Sequence, residues 1–284
     1  MIESIKTKTG AGVREICRVL KLPRSSYYHA ATESPMQAGD RELVPAITEI
    51  FHSHERRYGY RRIVSDLADR GIRCSPARVR RLMAANGLRA LQPKSYAPKT
   101  SDGKAAAPSP NLLRDGLQPK LPGQAWAGDI TYIKTGSGWV YLALVIDLCT
   151  RQVVGWSIAE NMRAGLVVDA LEQALGSKSP QPGFIFHSDR GSQYGSRKMR
   201  KLLAAAGARQ SMSARANPYD NAWTESVIGT IKRELIQGRR FEDFGEARSE
   251  LFDYIECYYN TKRKHSSIGY RTPNQHARAL NTLT

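Results

Sequence analysis

Phe184 to Tyr194 reads FIFHSDRGSQY. Its apolar start, Phe184-Ile185-Phe186, has the composition of a buried strand, and Arg190-Gly191 turns the chain away at the far end. The strand therefore delivers His187, Ser188 and Asp189 to its C-terminal end, where chemistry collects in an open α/β sheet. Two further carboxylates can join Asp189. Asp129 follows the apolar Ala125-Trp126-Ala127-Gly128 and opens a strand through Ile133. Glu225 lies 36 positions after Asp189, within NPYDNAWTESVIGTIKREL. Three carboxylates carried by two strands and a helix are a metal site in outline.

Composition bounds the partners. The chain has 284 residues and a formal net charge of +17, which points to a polyanion. Membrane surfaces also attract cations, but the longest apolar run, Val140 to Ile146, is strand-sized and far short of the roughly 20 residues of a spanning helix. MIESIKTKTG lacks the apolar core of a signal peptide. Cys17, Cys74, Cys149 and Cys257 are scattered without a CxxC pair, so free thiols in a reducing cytosol are expected. Nucleic acid is the natural partner.

The front of the chain is helical and basic. GVREICRVLKLPRSSYYH, Gly12 to His29, predicts a short helix with Val13, Ile16, Val19 and Leu20 inward, a break at Pro23 and a second helix capped by Ser25-Ser26. Basic flanks make this compatible with helix-turn-helix DNA binding, and equally with any small helical hairpin. Ala30 to Gly39 reads as a linker. Three apolar stripes follow: Leu43, Ile47, Ile50 and Phe51; Ile63 and Leu67; Val79, Leu82 and Met83. From Arg56 to Arg81 nine arginines face only Asp66 and Asp69, with Tyr58 and Tyr60 interleaved. Such a run can be a solvated face. Arginine without lysine, beside aromatics, favours phosphate and base contact, so Arg56, Arg57, Arg61, Arg62, Arg78, Arg80 and Arg81 are candidate DNA contacts.

Gln92 to Gly123 is Pro-rich and predicts an extended linker. Residues 1–124 carry 22 basic and 11 acidic groups, net +11, and residues 125–284 carry 21 and 15, net +6. The front binds, and the carboxylates lie behind. There, Trp126 to Lys134, Trp139 to Cys149 and Gln152 to Ile158 read as strands and Arg163 to Leu175 as a helix. The strand ending at Asp189 follows, then a helix Lys198 to Ala206 and a short strand near Arg209-Gln210-Ser211. Pro218 opens the helix carrying Glu225, and Phe244 to Tyr259 is a last long helix. The order βββαβαβα predicts a mixed five-stranded sheet with helices on both faces, an RNase H-like core. Expected domains are a helical segment 1–39, a helix-turn-helix-like domain 40–91, a linker 92–123 and a catalytic core with a C-terminal helical extension, 124–284.

Each candidate has a plainer reading. Asp129 competes with Asp147, which sits inside an apolar strand, but Asp147-Leu148-Cys149 better suits support of the next turn. His187 is expected to support the site, since hard-cation sites are oxygen-lined. Asn221, Glu225 and Lys232 share one helical face, with Asn221 in a supporting role. A carboxylate and an amine on one face suggest metal beside phosphate.

Asp129, Asp189 and Glu225, with 35 residues between the last two and Lys232 seven beyond, match the DDE signature of integrases and transposases. WAGDITYI, HSDRGSQY, NPYDNAWTES and YYNTKRKHSSIGYRTPNQHA resemble the second-frame (OrfB) transposase of the IS-three insertion-sequence family. YGYRRIVSDLADRGIRCSPARVRRLMAANGLRA resembles that family's helix-turn-helix region. Ala216-Asn217-Pro218 departs from the usual pattern in the turn before the Glu225 helix. The retroviral HHCC zinc module is absent.

The resemblance implies a metal-dependent DNA transposase that cleaves insertion-sequence ends and then joins strands. Asp129, Asp189 and Glu225 would be catalytic and would hold two Mg²⁺ ions, with Mn²⁺ as substitute. Lys232 would contact DNA. Implied partners are terminal-repeat and target DNA, a first-frame (OrfA) subunit and further copies of the chain, without membrane. The setting would be the bacterial cytoplasm at the nucleoid. A DNA-binding regulator with a dead core and a structure-specific nuclease remain the alternatives.

Overall fold

A computed structural model describes residues 2–29, 35–92, 109–113, 119–213 and 222–282, without the side chains of residues 26, 29 and 35–38. The chain divides into two compact units, Met1–Ala90 and Leu91–Thr284.

In the first unit, α1 (Ile2–Thr9) precedes α2 (Val13–Val19) and α3 (Arg24–His29). The stripe expected on α2 is only partly right. Ile16 and Cys17 are buried, whereas Val19 is 73% exposed. The helix has seven residues, so its inner stripe is narrow, and Val19 falls in the last turn beside the left-handed Lys21 (φ 53°). Ser25 and Ser26 lie inside α3 instead of capping it. The expected linker is also partly helical, because α4 runs Pro35–Ser53 and crosses the expected 39/40 boundary. Proline lacks an N–H that the first turn would leave unbonded anyway, so Pro35 starts a helix without cost.

α5 (Tyr60–Asp69) and α6 (Pro76–Ala85) complete this unit. Ser75 caps α6 by accepting the Arg78 N–H at 3.2 Å, with Pro76 at the first helical position. Leu43, Ile47, Ile50, Phe51, Ile63, Leu67, Val79, Leu82 and Met83 form one core, as their spacing predicts.

The second unit is built on a five-stranded sheet: β1 (Ala125–Lys134), β2 (Trp139–Asp147), β3 (Val153–Ala159), β4 (Ile185–Ser188) and β5 (Arg209–Met212). The spatial order is β3-β2-β1-β4-β5. β1, β2 and β3 are antiparallel neighbours, while β4 runs parallel to β1 and β5 parallel to β4. Helices cover both faces, as the sequence pattern predicts for an RNase H-like core. α7 (Ala164–Ser177) and α8 (Arg197–Ala205) pack on Trp126, Ile130, Val145 and Phe186. α7 presses so close that a Cβ on Gly155 would lie 2.2 Å from the Ala170 carbonyl oxygen. The other face carries Ile133, Leu142, Leu144 and Ile146, covered by α9 (Ala222–Ile231) and α10 (Phe244–Phe252).

Two helices continue as wider π-helical turns, α9 through Lys232–Ile236 and α10 through Asp253–Tyr259. The expected helix 244–259 thus changes pitch midway. A further helix, α11 (Pro273–Asn281), starts with a capping box between Thr272 and Gln275. Pro218 lies outside the described residues, and α9 is described from Ala222. The expected linker is partly docked: Leu113 is buried with Ala125, Ala127, Leu148 and Ile185, and Leu112 N–H donates to Ser211 Oγ at 2.9 Å.

Candidate active site

Parallel pairing of β1 with β4 runs from Ala125↔Ile185 to Gly128↔Ser188 and stops. Asp129 and Asp189 are the next residues on the two chains. They stand side by side where β4 ends and β1 continues with an open edge. Asp189 turns the chain by accepting the Gly191 N–H at 2.9 Å. A Cβ on Gly191 would lie 2.9 Å from that same carboxylate oxygen, so glycine is what fits this turn. Glu225 is exposed in the first turn of α9, where a carboxylate suits the helix dipole.

The electrostatics tie these groups together. Asp129 accepts the Ile130 N–H at 2.8 Å. Burial first, then the Asp189 charge and more weakly that of Glu225, push its carboxyl from an ordinary 3.8 up to about 7, against the Ile130 N–H and Lys232. Like charges held this close disfavour joint ionisation, and a cation relieves them. Among the described residues, however, no three His, Cys, Asp or Glu side chains cluster tightly enough to hold one metal ion. Glu225 is felt electrically at Asp129 without closing the site.

Lys232 lies near Asp129. Burial lowers its pKa, Asp129 opposes that, and its Nζ lies 5.1 Å from the centre of the Tyr132 ring. Under the aspartates sits Tyr194, whose buried hydroxyl has no hydrogen-bond partner among the described residues. Gly128 makes room for it, since a Cβ there would meet Phe186 at 2.8 Å and Tyr194 at 3.1 Å. Burial and the charges of Asp129 and Asp189 raise the phenol well above its usual range, so it stays protonated. An all-oxygen carboxylate set whose charges repel fits a hard divalent cation.

His187 is fully buried, with Nδ1 2.8 Å from Ser211 Oγ and Nε2 3.2 Å from Ser213 Oγ. Both ring nitrogens thus engage β5 and the residue after it, which suits support of the Asp189 turn. Asp147 is 2% exposed and receives N–H groups from Gly123 at 2.6 Å, Trp126 at 3.2 Å, Cys149 at 2.9 Å and Thr150 at 2.8 Å. It anchors the β2–β3 turn. Asn221 lies outside the described residues.

The candidate DNA contacts separate. Arg56, Arg61 and Arg80 are exposed, and Arg61 lies over the Tyr60 ring. Arg62 lies over Tyr58. Arg57 is buried and bonded to Glu55 at 2.9 Å. Arg78 and Arg81 both hold Asp40 at 2.6 Å.

The Lys262-Arg263-Lys264 run, a basic cluster whose charge favours recombination over simple nuclease action, is largely internal. Arg263 and Lys264 are buried, and Arg263 grips Glu234 through two bonds of 2.8 and 2.7 Å. Tyr254 donates to the same carboxylate at 2.8 Å. Sequence reasoning missed this pair, because its partners are 29 residues apart and each stands among other charges. It also missed Tyr132 and Tyr194, whose only sequence signal is an aromatic a few residues from each aspartate.

Comparison with known proteins joins these pieces. Residues 119–218 and 206–273 match families described as Integrase core domain, and residues 38–96 match an HTH-like domain. The chain is 45% identical to the transposase for insertion sequence element IS904 of Lactococcus lactis subsp. lactis (strain IL1403), over 84% of this chain and 94% of that protein. It is 36% identical to transposase InsF for insertion sequence IS3A of Escherichia coli (strain K12), over 93% of each. The HTLV-2 integrase catalytic core domain in complex with magnesium aligns with a TM-score of 0.42 and 17% identity, covering 55% of this chain and 97% of that one. With an integrase core, an HTH-like domain and near full-length identity to named transposases, the chain belongs to the IS-three family of insertion-sequence transposases.

Proposed function

We propose that this DNA transposase cuts and joins DNA strands at the open edge of β1, with Asp129, Asp189 and Glu225 as its catalytic carboxylates. The observation that carries the reading is the pair Asp129 and Asp189, set side by side past the last β1–β4 pairing, where burial first and then the Asp189 charge lift Asp129 to about 7. Asp129 and Asp189 would hold divalent cations, and Glu225 would close the set from α9. Two Mg²⁺ or Mn²⁺ ions held by these carboxylates would supply Lewis-acid charge for in-line displacement at phosphorus.

The chain's own groups do the rest. Lys232, held over Tyr132, meets a phosphate of the DNA end as a point charge. His187 holds the Asp189 turn against β5. Tyr194 keeps its proton and contributes no nucleophile. Arg56, Arg61 and Arg80 of the helical unit contact duplex phosphates. The working assembly is a multimer on paired terminal repeats with a first-frame subunit, acting at the bacterial nucleoid.

An oligonucleotide assay with Mg²⁺ tests the reading. A transposase yields both cuts and joints, a nuclease only cuts, and a regulator neither. Asp189→Asn is expected to abolish both products while DNA binding persists. Joints formed by Asp189→Asn at the wild-type rate would sink the assignment.

A further inference from the structure

A cleft of about 330 Å³ opens in the sheet unit, lined from the β2–β3 turn, the start of α9, and α11 with the turn before it. Its charged lining is basic. Lys120 and Arg151 contribute, beside the ring of His276, with no carboxylate among the described lining residues. Arg151 Nε and His276 Nδ1 are buried and make no hydrogen bond among the described residues. Partnerless buried polar atoms are uncommon in folded proteins. Two in one cleft, one on a permanent cation, ask for an anionic acceptor.

The turn is built to place Arg151 there. Asp147 takes the N–H groups of Cys149 and Thr150, and Arg151 N–H donates to the Asp147 carbonyl. Arg151 is thereby held at φ 65°, a left-handed conformation that a side chain adopts at a cost. The nearby Asp147 carboxylate acts on Arg151 through its charge but gives no hydrogen bond among the described residues, because four N–H donors already occupy it. Burial first, then the cations Arg271 and Arg151, hold His276 below its ordinary pKa against the nearby Asp147, so His276 offers a neutral ring beside the Arg151 guanidinium. The remaining wall includes the flat ring of Trp223 beside Ile268. A cation beside a half-buried aromatic ring matches one nucleotide unit: a phosphodiester and its base. Trp223 stands two residues before Glu225 on α9.

We propose that this cleft is a second DNA subsite, which holds a backbone phosphate between Arg151 and His276 and stacks the attached base on Trp223. The inference rests on DNA as the substrate. The test is fluorescence anisotropy of the full chain with a labelled DNA duplex across a salt series, with thermal melts of every variant. Arg151→Gln is expected to reduce the slope of log affinity against log salt by about 0.9, the loss of one phosphate contact. Lys120→Gln, at an exposed position outside the sheet, is expected to act the same way even if Arg151→Gln unfolds. Trp223→Ala is expected to weaken binding about fivefold or more, and Trp223→Phe to retain it. If wild type binds DNA and all these variants match it, the cleft assignment is overturned. If wild type binds no DNA, the substrate reading falls with it. Inorganic phosphate that raises the melting temperature of wild type but not of Arg151→Gln, with the DNA slopes unchanged, identifies a small-anion site and also overturns the proposal.

Discussion

Asp147 and Asp129 sit on neighbouring strands of one sheet, and their surroundings are opposite. Asp147 closes the β2–β3 end with four N–H donors and is 2% exposed. Asp129, at the open edge, accepts one among the described residues and faces two like charges. A satisfied carboxylate fixes a turn. A frustrated one stores a demand for a cation and is where chemistry is expected. The difference lies in the donors, since both aspartates sit in apolar strands.

The contrast breaks most visibly at Asp147. Asp147→Ala leaves buried N–H groups of Gly123, Thr150 and Trp126 without an acceptor, and is expected to cost at least about 3 kcal/mol of unfolding free energy. Denaturant unfolding measures it, and a loss under about 1 kcal/mol would make the two aspartates alike.

Asp129 should behave in the opposite sense. Its folded-state carboxyl sits at about 7 against an ordinary 3.8, so the folded protein holds its proton more tightly than the unfolded chain. Metal-free stability should therefore fall as pH rises between those values and then level off. Asp129→Asn removes that slope and raises the melting temperature at pH 8, by about 2–4 °C for each kcal/mol recovered. Mg²⁺ should stabilise wild type by roughly 2.7 kcal/mol at about 100 times its dissociation constant. Asp189→Asn should lose most of that gain. A magnesium shift that survives in Asp189→Asn would mean that the repulsion is relieved elsewhere.

The smallest effect sharpens the same distinction among the arginines. Arg78 and Arg81 are engaged with Asp40, whereas Arg80 is exposed on the same helix. Arg80→Ala should leave the melting temperature unchanged and flatten the salt dependence of DNA affinity by about 0.9. An unaltered slope would make Arg80 a solvated charge.

Local pattern carried most of the fold. The apolar Phe184-Ile185-Phe186 and Val140 to Ile146 read as buried strands, and a mixed five-stranded sheet followed from three strands and then alternating helices and strands. Asp189 could be placed just past a strand end because it closes such a run, and Asp129 falls within β1, after Ala125-Trp126-Ala127-Gly128. Val19 was misplaced because seven residues give too little periodicity to fix a face. Arg263 was misread because a charge inside a basic run looks solvated until its partner, Glu234, is found across space. α11 was missed although Thr272, Pro273 and Gln275 spell a capping box. The orphan atoms of Arg151 and His276 have no sequence signal, since being unpaired depends on what every neighbour already binds.

The π turn at Lys232–Ile236 has a consequence for length as well as composition. It spaces its hydrogen bonds five residues apart, one more than the helix before it. Deleting a single residue there, Arg233 for example, would let the segment relax into ordinary α-helix. Each α-helical residue advances the heading by about 100°. A change of phase there would turn α9 as a body against the anchored Glu234–Arg263 pair, moving Glu225 together with the buried Val227, Ile228 and Ile231. Point substitutions along this stretch test chemistry, and a one-residue deletion tests phase.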